Sequence, residues 1–231
     1  MALKLGIPSK GRLKDKTFDW FSERGVEMQS TGNGREYTAE VSLPGLELVM
    51  LAAGEIPREL QSGQIDLGVT GMDMIRERLW DWPSIVREVA PLGFGHADLI
   101  IAVPDFWSDV ATLHDFDAAA SAFRRTHGHR LRIATKYHRL VREFLRAEGV
   151  ADYRLVDSQG ATEGTVRNLS AEAIADITTT GETLRANHLR PLEDGVILKS
   201  QAALFRTPRA NWTPEMRTTY TALCEALDID P

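Results

Sequence analysis

An α/β fold laid down in two successive series is what this sequence predicts, and three observations predict it. Leu3, Leu5 and Ile7 alternate as in a half-buried strand, and residues 8–12 then turn the chain into a helix-spaced set at Leu13, Thr17, Trp20 and Phe21. A second run of short apolar strands interleaved with helix-compatible segments starts at the apolar stretch 97–103. Helices placed between short apolar strands imply sheets covered on their faces.

Each element has its own local signal. Arg24 and Gly25 close the first helix, because a cation offsets the helix dipole and glycine readily takes the left-handed cap. Strands follow at 37–43 and 46–52, joined through Pro44 and Gly45. Glu55, Pro57 and Gly63 bracket a short helix, with acid and proline in its first turn and glycine at its end. Residues 65–70 form a strand entering Gly71, and 86–104 are extended, with 97–103 apolar enough for a central strand. The second series predicts helix 114–126, strand 131–135, helix 139–147 and strands 153–156 and 173–177. Residues 184–189 are helix-compatible and 196–205 are extended. Thr213-Pro214-Glu215 opens a last helix with Met216, Tyr220, Leu223 and Leu227 on one side.

Composition narrows the class. With 231 residues, 43% hydrophobic and 26% charged, the chain has room for one large domain or two small ones. A net charge of −6 gives no general attraction to nucleic acid or to an anionic membrane, so neither is expected as a partner, and phosphate binding must come from local sites. Residues 1–8 have neither the basic head nor the apolar core of a secretion signal, and no apolar run reaches membrane-span length; a cytoplasmic protein is expected. Cys224 stands alone, and no Cys/His spacing matches a structural zinc site.

The most informative segment runs from Asp176 to Leu184, after an apolar strand. Gly181 permits a tight turn and close backbone approach, the hydroxyls of Thr178, Thr179, Thr180 and Thr183 can donate to phosphate oxygens, and the N–H groups opening a helix lack partners. By spacing alone, a threonine-rich turn capping a helix has the same look. Asp176 either touches a ligand or bonds nearby backbone N–H groups.

Three further turns carry suitable groups. Ser9-Lys10-Gly11-Arg12 joins a strand to a helix; Gly11 allows close approach while Lys10 and Arg12 can meet triphosphate or pyrophosphate oxygens, the alternative being a solvated basic turn. In 66–73 a strand runs into Gly71, whose backbone, with the Asp73 carboxylate, can meet a nucleotide or ribose; Asp66 reads as scaffold. Lys136 and Tyr137 follow strand 131–135, where a lysine can neutralise phosphate or simply sit exposed at a helix start.

Taken in order, IPSKGRL, IDLGVTGMD, ATKYHRL, DITTTGETLRAN and VILKSQAAL resemble the ATP phosphoribosyltransferase family over nearly the whole chain, in its short form without a third, regulatory domain. The resemblance implies two α/β domains of the type II periplasmic-binding-protein kind with an active-site cleft between them. Domain I would be residues 1–91 and 186–231, and domain II residues 92–185. It implies that Thr178, Thr179, Thr180, Gly181, Glu182 and Thr183 hold the 5′-phosphate of phosphoribosyl pyrophosphate (PRPP), with Asp176 near the ribose and the Glu182 side chain turned outward. Lys10, Arg12 and Arg35 become catalytic candidates, and Ser9, Gly11, Gly71, Asp73, Lys136 and Tyr137 ATP-binding ones; Glu163 matches a family acid. His138 departs from the family's proline. Ala52-Ala53-Gly54 stands where many members have an arginine assigned to pyrophosphate departure, leaving Lys10, Arg12 and Arg35 to replace it.

The reaction so implied is attack of adenine N1 of ATP on C1′ of PRPP, giving phosphoribosyl-ATP and pyrophosphate, the first step of histidine biosynthesis. It needs no enzyme nucleophile; alignment and charge stabilisation are the burdens. Mg²⁺ would arrive with PRPP and leave with pyrophosphate, without protein ligands. The short form further implies a homodimer when alone and a hetero-octamer with a regulatory subunit resembling histidyl-tRNA synthetase, which would confer histidine inhibition. A non-catalytic ligand-binding protein of the same fold is the rival, and a dinucleotide-binding oxidoreductase is disfavoured because no Gly-x-Gly-x-x-Gly follows the first strand.

Overall fold

In the computed structural model, which describes residues 2–30, 39–158, 160–208 and 212–230, the alternation at the start becomes β1 (Leu3–Pro8), with Leu3, Leu5 and Ile7 fully buried. The chain continues through α1 (Gly11–Ser22), β2 (Met28–Ser30), β3 (Ala39–Val41), β4 (Leu46–Leu51), α2 (Ile56–Ser62), β5 (Leu67–Gly71), α3 (Met72–Arg78), α4 (Trp82–Ile85) and β6 (Arg87–Pro91). Then come β7 (Ala97–Pro104), α5 (Leu113–His127), β8 (Leu131–Thr135), α6 (His138–Ala147), β9 (Tyr153–Asp157), α7 (Gly164–Arg167), β10 (Ala173–Thr178) and α8 (Glu182–Ala186). The last elements are β11 (Leu189–Ser200), β12 (Ala202–Arg206) and α9 (Pro214–Leu227).

These elements form two compact units, Met1–His96 with Gln201–Pro231 and, separately, Ala97–Ser200. In unit 1 the described residues give a sheet in the order β4-β1-β5-β12-β6, in which β4, β1 and β5 run parallel and β12 runs antiparallel to both of its neighbours. Both faces are covered. Leu5, Val69 and Leu204 pack with Phe21 of α1 and Tyr220 and Leu223 of α9, while Phe205 packs with Ile56, Leu60 and Ile75 of α2 and α3. Adjacent residues Leu204 and Phe205 thus feed opposite cores, as strand alternation requires.

In unit 2 the order is β11-β7-β10-β8-β9, with β10, β8 and β9 parallel and β7 antiparallel to β10 and β11. Strand 131–135 is β8 as expected. Helix α5 begins with a capping box, in which the Thr112 hydroxyl accepts the Asp115 N–H while the Asp115 carboxylate accepts the Thr112 N–H.

Several expectations need correction. The helix-compatible stretch 184–189 is helical only to Ala186, and Leu189 already belongs to β11. The single extended stretch 196–205 is two strands broken at Gln201, one in each unit. The unit boundaries also fall later than 91/92 and 185/186. Leu92 and Phe94 are buried in the core of unit 1, and β11 pairs with β7 from Leu189 opposite Pro104 to Ser200 opposite Ala97, which keeps 189–200 in unit 2. Helices α3, α4 and α7 were not expected; each is too short to show a helical period. Part of predicted strand 37–43 lies outside the described residues, and the rest, β3, pairs with the unexpected β2.

Candidate functional site

The sheet of unit 1 brings two of the sequence-identified turns, and the segment that lacks the family arginine, to one end of its strands. Because β4, β1 and β5 are adjacent and parallel, residues 52–55, 9–11 and 71–73 all follow the carboxyl ends of neighbouring strands, where open α/β sheets bind their ligands. Ser9 is tied down by its N–H, which donates to Leu51 O at 2.7 Å. Gly11 opens α1 at φ +76°, and an added Cβ there would meet nothing; the glycine is needed for its left-handed backbone rather than for space. Lys10 and Arg12 are exposed on either side, and among the described residues neither side chain has an acceptor. Gly71 precedes α3, whose first turn carries Asp73, 7% exposed. Arg35 lies outside the described residues.

Where an arginine is missing, the backbone is closed on itself. The Ala52 N–H donates to Glu55 Oε2 at 3.1 Å and the Glu55 N–H to Ala52 O at 2.8 Å, while the buried Thr70 hydroxyl donates to Ala53 O at 2.9 Å. Asp66 is scaffold at the opposite end: its Oδ2 accepts the Lys4 N–H at 2.9 Å, and burial, only partly offset by that bond, pushes its pKa up.

Unit 2 repeats the arrangement. The carboxyl ends of β10, β8 and β9 lie side by side, followed by the threonine loop, by Lys136-Tyr137 and by residues 158–163. The threonine loop is organised by its own side chains: Gly181, at φ +71°, donates its N–H to Thr178 Oγ1 at 3.1 Å, and the Glu182 N–H reaches Thr180 Oγ1 at 3.4 Å. The Asp176 carboxylate accepts the Ile177 N–H at 2.8 Å, a local contact within β10 just before the loop. Thr179, Thr180, Glu182 and Thr183 are exposed.

Beside this loop, Lys136 is exposed but already employed, its Nζ donating to Gly160 O at 2.6 Å. Tyr137, an ATP-binding candidate by sequence, is 3% exposed, so its ring belongs to the interior. Its N–H donates to Thr135 Oγ1 at 2.9 Å. His138, in place of the family's proline, bonds Asp157 at 2.7 Å and opens α6. Glu163 precedes α7 and is half-buried. One side chain on the loop escaped the sequence reading. Arg185 of α8 folds back so that Nη1 lies 3.0 Å from where a Cβ on Gly181 would stand. The spacing from Gly181 to Arg185, one helical turn, was the available signal.

An apolar recess of about 700 Å³ opens in unit 2 at the other end of the strands, where β7 ends at Pro104 and β10 is about to begin. Phe106, Trp107, Val166 and Leu169 line it beside the Arg132–Glu172 ion pair, and none of the sequence-identified site residues does.

The profile of the family described as HisG, ATP phosphoribosyltransferase, matches residues 52–228. The ATP phosphoribosyltransferase of Cereibacter sphaeroides is 69% identical over 214 residues, 92% of this chain and 91% of that one. The chain belongs to the ATP phosphoribosyltransferase family. Its Brucella suis relative is 46% identical over 231 residues, covering 99% of this chain and 100% of the other. The family activity is that of an enzyme, a pentosyltransferase that condenses ATP with PRPP in the first step of histidine biosynthesis. Among solved structures, the ATP phosphoribosyl transferase (HisG:HisZ) complex from Thermotoga maritima matches with a TM-score of 0.74 at 22% identity, over 98% of this chain and 96% of that one. A periplasmic sulfonate-binding protein from Methylobacillus flagellatus matches at 0.57 and 13% identity, over 98% and 67%. These likenesses give the ATP phosphoribosyltransferase chain the type II periplasmic-binding-protein fold. Among the described residues no helix is long and apolar enough to cross a membrane.

Proposed function

We propose that the family reaction is carried out here by the loops at the carboxyl ends of the two parallel strand sets, with the PRPP 5′-phosphate held by residues of unit 2 and ATP mainly by residues of unit 1. The threonine loop carries this reading: Thr179, Thr180 and Thr183, all exposed, flank in sequence a left-handed Gly181 that has no side chain of its own. Thr178 to Thr183 hold the 5′-phosphate, with Asp176 anchoring the loop beneath the ribose. Ser9, Gly11, Gly71, Asp73 and Lys136 serve the nucleotide, Tyr137 holds the Lys136 turn from inside, and Lys10, Arg12 and Arg35 act on the pyrophosphate.

Adenine N1 has its own lone pair, so what the chain must supply is alignment of two anionic substrates and stabilisation of charge on the leaving group. Lys10 and Arg12, exposed and without protein acceptors among the described residues, are suited to that charge. The oxygen donors around the loop, hydroxyls and the Asp176 carboxylate, suit a hard cation. When present, Mg²⁺ carried in by PRPP would supply further positive charge to the departing diphosphate. Calorimetry with PRPP and Mg²⁺, followed by mass spectrometry of the products of ATP and PRPP, tests the reading. The expected product is phosphoribosyl-ATP with pyrophosphate, and its absence while a family enzyme forms it under the same conditions would sink the assignment.

The chain is cytoplasmic in this reading and works with a second, regulatory subunit resembling histidyl-tRNA synthetase. The Thermotoga maritima structure, a HisG:HisZ complex, supports the presence of a second kind of subunit. Alone the chain forms a homodimer that responds weakly to histidine; with the partner it forms a hetero-octamer that histidine inhibits, which requires coupling between distinct sites. Sizing and inhibition assays with and without the partner decide it. Strong, saturable histidine inhibition of the isolated chain would overturn it.

A further inference from the structure

We infer that Arg185 is a phosphate-binding residue of the threonine loop and supplies the positive charge that the loop otherwise lacks. The inference rests on the reading that this loop holds the 5′-phosphate of PRPP. The loop segment itself brings two carboxylates, Asp176 and Glu182, and no cation between them. A phosphate dianion placed there without a counter-charge would meet net repulsion. Lys136, at the end of the neighbouring strand, spends one of its three ammonium N–H groups on Gly160 O and is assigned to the nucleotide.

Arg185 stands differently. Its guanidinium lies against Gly181, Nη1 at 3.0 Å and Cζ at 3.9 Å from the position of an added Cβ, so the glycine also leaves room for the arginine to lie along the loop. The residue is exposed, and among the described residues its guanidinium has neither an ion pair nor a hydrogen-bond acceptor; Glu182, one helical turn earlier, does not receive it. An unpaired guanidinium lying against the Gly181 bend presents planar, paired donors to a tetrahedral oxyanion, the geometry in which arginine outperforms lysine.

The test compares Arg185→Met and Arg185→Lys with the parent chain, using PRPP with Mg²⁺, ribose 5-phosphate and pyrophosphate as separate probes in calorimetry, with thermal melts alongside. Arg185→Met should weaken PRPP and ribose 5-phosphate by about 10- to 100-fold while leaving pyrophosphate unchanged, and Arg185→Lys should recover part of the loss. Unchanged ribose 5-phosphate affinity in folded Arg185→Met, or a loss confined to pyrophosphate, would overturn the inference. Gly181→Val, or Gly181→Ala if the valine variant does not fold, separates the two layers. If the glycine variant loses PRPP while Arg185→Met keeps it, only the arginine's role fails; if the glycine variant also keeps PRPP, the phosphate loop itself fails and the arginine's role with it.

Discussion

Glu172 and Arg132 illustrate how a single pair sets a pH response. Burial raises the Glu172 pKa, but the hydrogen bonds and charge of Arg132 outweigh it and hold the carboxyl below its ordinary value, while the same bonds raise the pKa of the guanidinium. A depressed folded-state value means that stability is gained above the unfolded glutamate pKa and lost as the pH falls through the folded one. Glu172→Gln should therefore destabilise the protein by about 1–3 kcal/mol near neutral pH, with the difference from the parent fading in acid. Urea unfolding at both conditions measures it. At the basic turn the order of effects reverses. Lys10→Ala and Arg12→Ala should leave stability within about 0.5 kcal/mol, since both side chains are exposed, yet cut turnover by about 100-fold if they stabilise the leaving group. Near-normal turnover in both variants would return the turn to solvent.

The glycines of β5 separate packing from ligand binding. An added Cβ on Gly68 would lie 2.6 Å from Ile56 Cγ2 and 3.1 Å from Leu60 Cδ1, so this glycine lets α2 settle on the strand. Gly68→Ala should cost about 1–3 kcal/mol through overpacking, and differential scanning calorimetry would register it as a lower melting temperature. Where such local chemistry is strong, the element is legible in sequence: the Thr213 cap and Pro214 place the start of α9, Gly63 ends α2 in the left-handed conformation, and the apolar alternation of Leu3, Leu5 and Ile7 gives β1. Where the element is short, as in three-residue β2 or four-residue α7, no period has room to develop. The extended stretch 196–205 hides its break because Gln201 has no backbone signature distinct from its neighbours; only pairing in two separate sheets reveals it. Within the candidate site, motif spacing identifies the turns, but side-chain direction is decided by packing. That is why neither the burial of Tyr137 nor the lie of Arg185 against Gly181 is legible in the motif.

Unit 1 is assembled from two stretches of chain. Strand β12 sits between β5 and β6 and hydrogen-bonds to both, and α9 adds Met216, Tyr220, Leu223 and Leu227 to the same core. Removing residues 201–231 should therefore abolish the cooperative melting of unit 1 rather than trim it, a loss visible by calorimetry; a truncated chain that kept the full transition would contradict this topology. The same arrangement bears on how the chain is made. A polypeptide leaves the ribosome from its amino end, so β5 and β6 emerge well before the strand that joins them, and the whole of Ala97–Ser200 emerges in between. The first unit to begin is the last able to finish. During that interval the β5 edge, with Leu67 and Val69 destined for full burial, is exposed to solvent and to other nascent chains, which makes the time taken to translate the middle of the message a hazard for the amino-terminal sheet.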